Sequence, residues 1–356
     1  MPTPFTRRTM LQLTALAPAL RPLLAQRFGA TPERPPGAPG RSAVSLVKGE
    51  NRRKNIADAL AAIDEQIRPA LATKKYVIVK PNFVSTTNQL AATHVDAVHG
   101  ILDYLEPRFK GPVMVAESSA GDTMEGFEQF RYQRLVTEHR SQRVELVDFN
   151  REGKIFTVPL IDYDLHATPT RLAGRLFDPD AFVICSAILK THNTVVATLS
   201  VKNMGLGAPL HSAPKERPGW NDKRITHNGL RQTHYNIFLS AQAMKPFWGL
   251  AVIDGYEGME GNGPSSGTPV PSRIAIASRD FIAADRVGVE AMGIDAKWLA
   301  YLRYCGDFGV GQYDLAKIDI RGEKIAAVAR KYRLHPDMDR ELQWMGPMDE
   351  LPAVVG

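Results

Sequence analysis

The chain has 356 residues, of which 44% are apolar and 23% charged, a composition typical of a soluble globular protein with a sizeable core. Two cysteines exclude a disulfide scaffold and an iron–sulfur cluster held by four cysteines, and no run of about 18 apolar residues indicates a spanning helix. Three of the 44 basic residues lie in the first 25 positions, which leaves 41 basic against 38 acidic residues, and that net charge of +3 does not indicate nucleic-acid binding.

Residues 1–28 have the pattern of a twin-arginine export signal. Arg7 and Arg8 are adjacent and precede a short stretch, residues 11–20, that consists mostly of Leu and Ala. The alternative is an ordinary N-terminus that happens to contain two arginines. We expect the twin-arginine machinery to export the protein to the periplasm, or otherwise out of the cytoplasm, and we expect no membrane span in the mature protein.

A flexible linker and one large domain are predicted to follow. Residues 29–42 hold four prolines and three glycines in fourteen positions, which is typical of a linker. The domain is predicted over residues 43–330. The polar, Met-rich tail over residues 331–356 shows no clear period, and we expect it to pack loosely over the domain.

Short apolar runs alternate with helical patterns along the domain. Apolar residues at Ile56, Leu60, Ile63 and Ile67 define one face of a helix over residues 51–67. Continuous Val/Ile runs separated by helices indicate an α/β fold with a mostly parallel sheet and helices on both faces. Strands are predicted at 44–47, 76–79, 113–116, 144–147, 181–189, 250–253, 274–277 and 318–320, and further helices at 95–105 and 281–292.

Residues 208–235 interrupt this alternation. The segment contains three prolines, five Lys/Arg residues and three histidines. A loop of this length within a compact domain is often functional. We therefore predict a loop insertion that acts as a lid, mobile without a ligand and ordered with one.

Polar side chains follow several of the predicted strands, at the point where each strand ends. Because ligands of open parallel sheets bind beyond the carboxyl ends of the strands, we expect these side chains to line one pocket. Lysines would bind the charge of a small anionic molecule, and a histidine, lysine or glutamate would transfer protons. The predicted catalytic residues are Glu117, Lys190 and His192, and the predicted ligand-binding residues are Lys80, Asn82 and Ser118.

Lys202 and Asn203 are two further candidates for ligand binding. They lie near the end of an apolar helix that is predicted to start near Thr194. A lysine in the last turn of a helix, followed by Gly205, is also ordinary helix-stop chemistry. Both interpretations stay open at the level of the sequence.

A divalent metal is a possible cofactor. Residues 254–268 are rich in glycine and predict a tight loop that carries Asp254, Glu257 and Glu260. Oxygen ligands on such a loop can hold a hard cation, although the spacing does not match the twelve-residue calcium loop. The alternative is that the three carboxylates are simply solvated.

Two familiar motifs are excluded by their context. The glycines at 261, 263 and 267 are not followed by a predicted helix, so they do not form a nicotinamide dinucleotide site. Residues 263–267 match G-x-S-x-G, but a nucleophile elbow needs a strand before the serine and a helix after it. Cys185 lies inside an apolar strand and is predicted to be a core residue.

Several motifs together resemble the domain of unknown function 362 family. These are KPNF at Lys80, AESSAGDT at Ala116, ILKTHN at Ile188, VKNMGLG at Val201, DGYEGMEGNGP at Asp254 and RDFIAADRVGVEAMG at Arg279. The resemblance spans residues 43–322 and assigns no reaction, and this chain lacks the cysteine-rich ferredoxin-like segment of some members. The family-like positions are Lys80, Asn82, Glu117, Ser118, Lys190, His192, Lys202, Asn203, Asp254, Glu257, Asp280 and Asp285.

Three functions are compatible with these patterns. The first is an exported enzyme that acts on a small anionic molecule in the predicted pocket. The second is a non-catalytic envelope protein that uses the same pocket to bind an anionic ligand or a metal. The third is a scaffold or interaction protein, which would be favoured if the residues at the strand ends were scattered in space.

Overall fold

The structure of this chain is a computed structural model that describes residues 40–212 and 218–345. The predicted export signal, almost all of the linker and the last part of the tail lie outside the described residues. From Arg41 onward the described residues belong to one structural unit. None of its described helices is long and apolar enough to cross a membrane.

The described part of the chain contains twelve strands, ten of them in one sheet with the order β12-β1-β11-β9-β7-β2-β3-β4. The run from β9 to β4 is parallel, and β11 is antiparallel to both of its neighbours. β8 pairs with β7, β10 pairs with β9, and β5 and β6 form a separate hairpin. The strands are β1 (Ser42–Lys48), β2 (Tyr76–Lys80), β3 (Val113–Glu117), β4 (Val144–Asp148), β5 (Ile155–Ile161), β6 (Ala167–Ala173), β7 (Ala181–His192), β8 (Val196–Thr198), β9 (Trp248–Glu260), β10 (Thr268–Val270), β11 (Ile274–Ser278) and β12 (Ile318–Gly322).

Helices cover both faces of the sheet. Along β2, Val77 and Val79 pack into one hydrophobic core with the helices over 52–61 and 95–105, whereas Ile78 packs into the other core with the helices over 230–244 and 281–291. This alternation follows from the twofold period of a strand. The helices are α1 (Arg52–Ala61), α2 (Asp64–Leu71), α3 (Val95–Leu105), α4 (Thr123–Gln129), α5 (Gln133–Glu138), α6 (Phe149–Glu152), α7 (Ser200–Gly205), α8 (Asp222–Ile225), α9 (Leu230–Met244), α10 (Phe281–Ala291), α11 (Ala300–Asp307), α12 (Ile325–Val328) and α13 (Met338–Glu341).

The α/β prediction is confirmed, since every predicted strand forms and the sheet is mostly parallel. All twelve residues of β7 are buried, which explains its unbroken apolar run. Cys185 is one of them and is a core residue, as predicted.

Four local predictions are wrong. The helix predicted over 51–67 is divided near Ile63 into α1 and α2, and α7 begins at Ser200, after β8, instead of near Thr194. β9 continues as far as Glu260, where the sequence predicted a loop. In the predicted loop insertion, α9 begins at Leu230.

The described part of the tail does not pack loosely. Tyr332, Met338 and Leu342 are buried in the core that contains α9 and α10. Long-range packing of three apolar side chains therefore orders a segment that shows no period of its own.

Candidate functional site

A buried ion pair joins the ends of β2 and β3. The two strands are parallel, with Val79 opposite Val115, so their last residues lie at the same edge of the sheet. Lys80 Nζ is 2.8 Å from Glu117 Oε1, and the side chains are 0% and 2% exposed. The Glu117 carboxylate also accepts hydrogen bonds from the backbone N–H groups of Phe83, at 3.2 Å, and Ser118, at 2.8 Å. The negative charge of Glu117 is therefore balanced inside the protein by Lys80 and by these hydrogen bonds.

Two asparagines connect this ion pair to Lys190. Lys190 Nζ donates to Asn82 Oδ1 at 2.7 Å and to the Ala91 carbonyl at 3.1 Å. Asn82 Nδ2 donates to Asn203 Oδ1 at 2.9 Å, and Lys80 Nζ donates to the same oxygen at 3.2 Å. Burial first, and then the charge of Lys202, holds the pKa of Lys190 well below its usual range. Lys80, Lys190, Asn82, Asn203 and Glu117 thus form one hydrogen-bonded layer, called the polar layer below.

Gly207 lets the chain pass close to the polar layer. A Cβ atom at this position would lie 2.0 Å from the Asn203 carbonyl oxygen and 2.7 Å from Lys80 Nζ. Both distances are shorter than van der Waals contact, so only glycine fits without moving the layer. The glycine also places its carbonyl where the Ser118 hydroxyl donates to it.

A cavity of about 560 Å³ lies against the polar layer, at the carboxyl ends of β2, β3 and β7. Asn82, Asn203 and Glu117 reach its wall, whereas Lys80 and Lys190 lie behind them. A second cavity of about 650 Å³ shares Thr194 and His227 with the first. The polar side chains that line the first cavity include Asn82, Glu117, Ser118, His192, Asn193, Thr194, Lys202, Asn203, Asn221, Lys223, Arg224, His227 and Ser265.

Lys202 is a buried cation on the cavity wall. Helix α7 carries it, and 6% of the residue is exposed. Burial, and next the charge of Lys80, lowers its pKa to about 8. Its ammonium group has no hydrogen-bond partner or carboxylate partner among the described residues. It is therefore available to a ligand.

Lys223 is a second cation on this wall, and the sequence did not single it out. Its Nζ atom donates to the Gly207 carbonyl at 2.8 Å and lies 3.5 Å from Ser118 Oγ. Burial lowers its pKa to about 7. The neighbouring Asp222 carboxylate holds α8 in place by accepting from Arg171 Nε at 3.0 Å and Nη2 at 2.8 Å.

Two histidines complete the wall. His192 is the last residue of β7, and its Nδ1 accepts the Thr194 N–H at 3.0 Å. His227 lies beyond α8, and its Nδ1 is 2.8 Å from the Lys223 carbonyl oxygen. Burial, and next the charge of Lys202, holds the pKa of His192 well below its usual range and lowers the pKa of His227 to about 3. Both rings are therefore neutral at pH 7.

The carboxylates predicted to hold a metal do not come together. Asp254 is buried and pairs with Arg52 Nε at 3.1 Å, Glu260 accepts the Arg333 N–H at 2.9 Å, and Glu257 is exposed. No group of three or more His, Cys, Asp or Glu side chains within residues 40–212 and 218–345 could hold a metal ion. The predicted metal site is wrong because the three residues lie along strand β9 instead of on a tight loop.

Asp280 and Asp285 accept hydrogen bonds from backbone N–H groups at the starts of two helices. Asp280 accepts the N–H groups of Ile282 and Ala283 at the start of α10. From within α10, Asp285 accepts the N–H groups of Ser200 and Val201, each at 2.9 Å, and burial raises its pKa to about 7. Asp285 therefore fixes the start of α7, the helix that presents Lys202 and Asn203.

This chain is similar to a protein family in sequence and, more distantly, to a solved structure. A family model described as "Domain of unknown function (DUF362)" matches residues 77–290, which include all of the polar layer. The crystal structure of a structural-genomics target from Thermotoga maritima is similar to this chain with a TM-score of 0.40 and 11% identity. That likeness covers 63% of this chain and 55% of the Thermotoga chain, so it spans little more than half of that protein. No curated protein matches this chain.

Proposed function

This chain belongs to the domain of unknown function (DUF362) family, whose name assigns no reaction, and we propose a function from the site itself. The protein is an enzyme that binds a small anionic molecule in the cavity at the strand ends and acts on it by proton transfer. Lys202 and Lys223 bind the negative charge, and His192 is the neutral acid/base group beside them.

The excess of buried cations is the observation that carries this proposal. In the described part of the site, four buried lysines lie around a single buried glutamate, and Lys80 already neutralises that glutamate. A buried charge without a partner is costly, because the protein interior solvates it poorly. An anion in the cavity would supply the missing partner. It would also raise the pKa values of Lys202 and Lys223 towards their usual range.

The same electrostatics supports an enzyme over a simple binding protein. The pKa of Lys223 is lowered to about 7 and that of Lys202 to about 8, so both exchange protons near neutral pH. Groups with such pKa values, next to a neutral imidazole in a cavity, are typical of catalytic sites.

The roles expected for Glu117 and Lys190 change in this proposal. Glu117 accepts hydrogen bonds from Lys80 and two backbone N–H groups, and Lys190 lies behind the cavity wall. We assign both as positioning residues, together with Lys80. Asn82, Ser118 and Asn203 remain candidates for ligand contact, since they line the cavity.

Calorimetric titration with inorganic phosphate tests the anion site. We expect binding at pH 7 that weakens at least tenfold in Lys202→Met, since a buried charge-assisted contact contributes about 1.5–3 kcal/mol. The matched control is Lys324→Met, which removes an exposed lysine. If phosphate and acetate both bind wild type and Lys202→Met alike, the proposed anion site is wrong.

A turnover assay distinguishes an enzyme from a non-catalytic binding protein. Incubation with a panel of small carboxylates and phosphate esters in deuterated water should show exchange or conversion of at least one compound by NMR. Binding of such compounds, with every one recovered unchanged, favours a non-catalytic envelope protein for an anionic ligand.

We also propose that the protein is exported by the twin-arginine machinery and works in the periplasm or another compartment outside the cytoplasm. The support is Arg7 and Arg8 ahead of a short stretch of Leu and Ala. These residues lie outside the described part of the chain.

A further inference from the structure

His192 presents a hydrogen-bond donor to the cavity. The Thr194 N–H reaches His192 Nδ1 at 3.0 Å, and since an amide N–H can only donate, Nδ1 must accept. In a neutral imidazole the proton then resides on the other nitrogen. His192 therefore carries its proton on Nε2.

His227 has the opposite tautomer. Its Nδ1 lies 2.8 Å from the Lys223 carbonyl oxygen, and since a carbonyl oxygen can only accept, Nδ1 must donate. The neutral ring then has a free lone pair on Nε2. Both histidines line the same cavity, one as a donor and the other as an acceptor.

Lys202 lines the same cavity as both rings. Among the neighbouring charges, it has the largest effect on each of the two histidines. Within the described ranges, neither Nε2 atom has a hydrogen-bond partner, and the Lys202 ammonium has none either. These three side chains, which line the cavity, thus hold three polar groups without a partner among the described residues: a cation, a neutral donor and a neutral acceptor.

A ligand that satisfies all three groups needs an anionic oxygen and a separate hydrogen-bond donor. The anionic oxygen would accept from Lys202 and from His192 Nε2–H. A hydroxyl or an ammonium group could donate to His227 Nε2. An ammonium group would bring a positive charge towards Lys202 and Lys223, where like charges repel, so the hydroxyl fits and the ammonium does not.

We infer that the ligand of this site is an anion with a hydroxyl group next to its charge, such as a hydroxycarboxylate, and that His227 Nε2 accepts the hydrogen bond of that hydroxyl. This inference rests on the proposed function, since it names the substrate class of the same cavity. His192 Nε2–H and Lys202 hold the anionic oxygen. His227 then recognises the hydroxyl and contributes to ligand selectivity.

Three small probes that differ only beside the carboxylate test the inference: acetate, glycolate and glycine. We expect glycolate to bind about 3- to 10-fold more tightly than acetate, the effect of one additional hydrogen bond. We expect glycine to bind more weakly than acetate. His227→Leu should remove the advantage of glycolate and leave acetate unchanged, and the exposed His166→Leu should change neither.

The tautomers can be measured directly. Long-range ¹H–¹⁵N spectra at pH 7 should show His192 protonated on Nε2 and His227 on Nδ1, with the signals assigned by His192→Gln and His227→Gln. A His227 ring protonated on Nε2 or on both nitrogens overturns the inference.

The outcomes distinguish this inference from the proposed function. Acetate and glycolate of equal affinity, both weakened by Lys202→Met, overturn the hydroxyl inference and leave the anion site intact. Binding of phosphate without binding of glycolate likewise overturns the hydroxyl inference and leaves the anion site intact. If phosphate, acetate and glycolate all fail to bind, the proposed function is wrong as well.

Discussion

Lys80 Nζ lies 2.8 Å from Glu117 Oε1 at the adjacent ends of two parallel strands, and both side chains are almost completely buried. This pair decides the charge of the site. Because Lys80 pairs with this carboxylate, the cations on the cavity wall, Lys202 and Lys223, have no carboxylate within ion-pair distance among the described residues. The site is consequently suited to an anion.

The first prediction concerns this ion pair. Glu117→Gln should lower the free energy of unfolding by about 3 kcal/mol, because it leaves the Lys80 charge buried without its partner. Replacing both residues, as Lys80→Met with Glu117→Leu, should recover most of that loss. Urea unfolding measures both effects, with the exposed Glu323→Gln as the control.

Phosphate binding by the double variant decides the role of Glu117. If Glu117 only balances the charge of Lys80 and makes no contact with the ligand, the folded double variant should bind phosphate within about threefold of wild type. A folded double variant that no longer binds phosphate would show that this pair does more than balance its own charges.

The second prediction concerns pH. The pKa of Lys223 is about 7 in the folded protein and near 10.5 when unfolded, so between these values the unfolded state binds more protons. The free energy of unfolding should therefore rise with pH from about 7 towards 10. Lys223→Met should make this rise shallower by up to about 1.4 kcal/mol per pH unit.

Urea unfolding at pH 7, 8, 9 and 10 measures this slope. Lys324→Met is the control, since the lysine it removes is exposed. Saturating phosphate should also flatten the slope, because the bound anion favours the charged lysine in the folded state. The contradicting result is a free energy of unfolding of the wild type that falls steadily from pH 7 to 10, and that falls by the same amount in Lys223→Met. That result would show that the pKa of Lys223 is not lowered in the folded protein.

The third prediction concerns the support of α7. Asp285 accepts the first N–H groups of α7, so Asp285→Asn should destabilise the fold by about 1.5–3 kcal/mol and weaken phosphate binding through displacement of Lys202. Asp280→Asn is the matched control on the same helix. It should keep the cap of α10, since an asparagine oxygen also accepts there, lose the bond from the Gln312 N–H, and leave phosphate affinity unchanged. Equal phosphate affinity in both variants would refute the role given to Asp285.

The fourth prediction concerns export. Residues 1–42 fused to a folded reporter should carry it out of the cytoplasm, and replacement of Arg7 and Arg8 by Lys should stop this, because the machinery recognises the arginine pair. Cell fractionation of both fusions measures it. Unchanged export of the Lys-Lys fusion would contradict the twin-arginine assignment.

The meeting of Lys80, Glu117, Asn82 and Lys190 could be predicted from the sequence. Each of the three strands, β2, β3 and β7, is an apolar run buried on both faces, and polar residues, which are buried as well, begin where the apolar run ends. Because parallel strands end at the same edge of a sheet, residues far apart in the chain had to lie side by side. His192, at the end of β7, follows the same rule.

Other parts of the site depend on contacts that no local pattern records. Lys223 and His227 reach the cavity because the Asp222–Arg171 pair anchors α8, in a segment whose composition indicates only a loop. Asp254 loses its expected role because Arg52, about two hundred positions earlier in the chain, pairs with it.

The tertiary structure also decides which of the lysines have hydrogen-bond partners. The sequence determined the strands, their buried faces and the polar residues at their ends, because burial leaves a local period in residue type. Only the tertiary structure decided that Lys80 and Lys190 have hydrogen-bond partners, while Lys202 has none among the described residues. The physical reason is that a buried charge is set by the partners within a few ångströms of it, and those partners come from separate strands and helices.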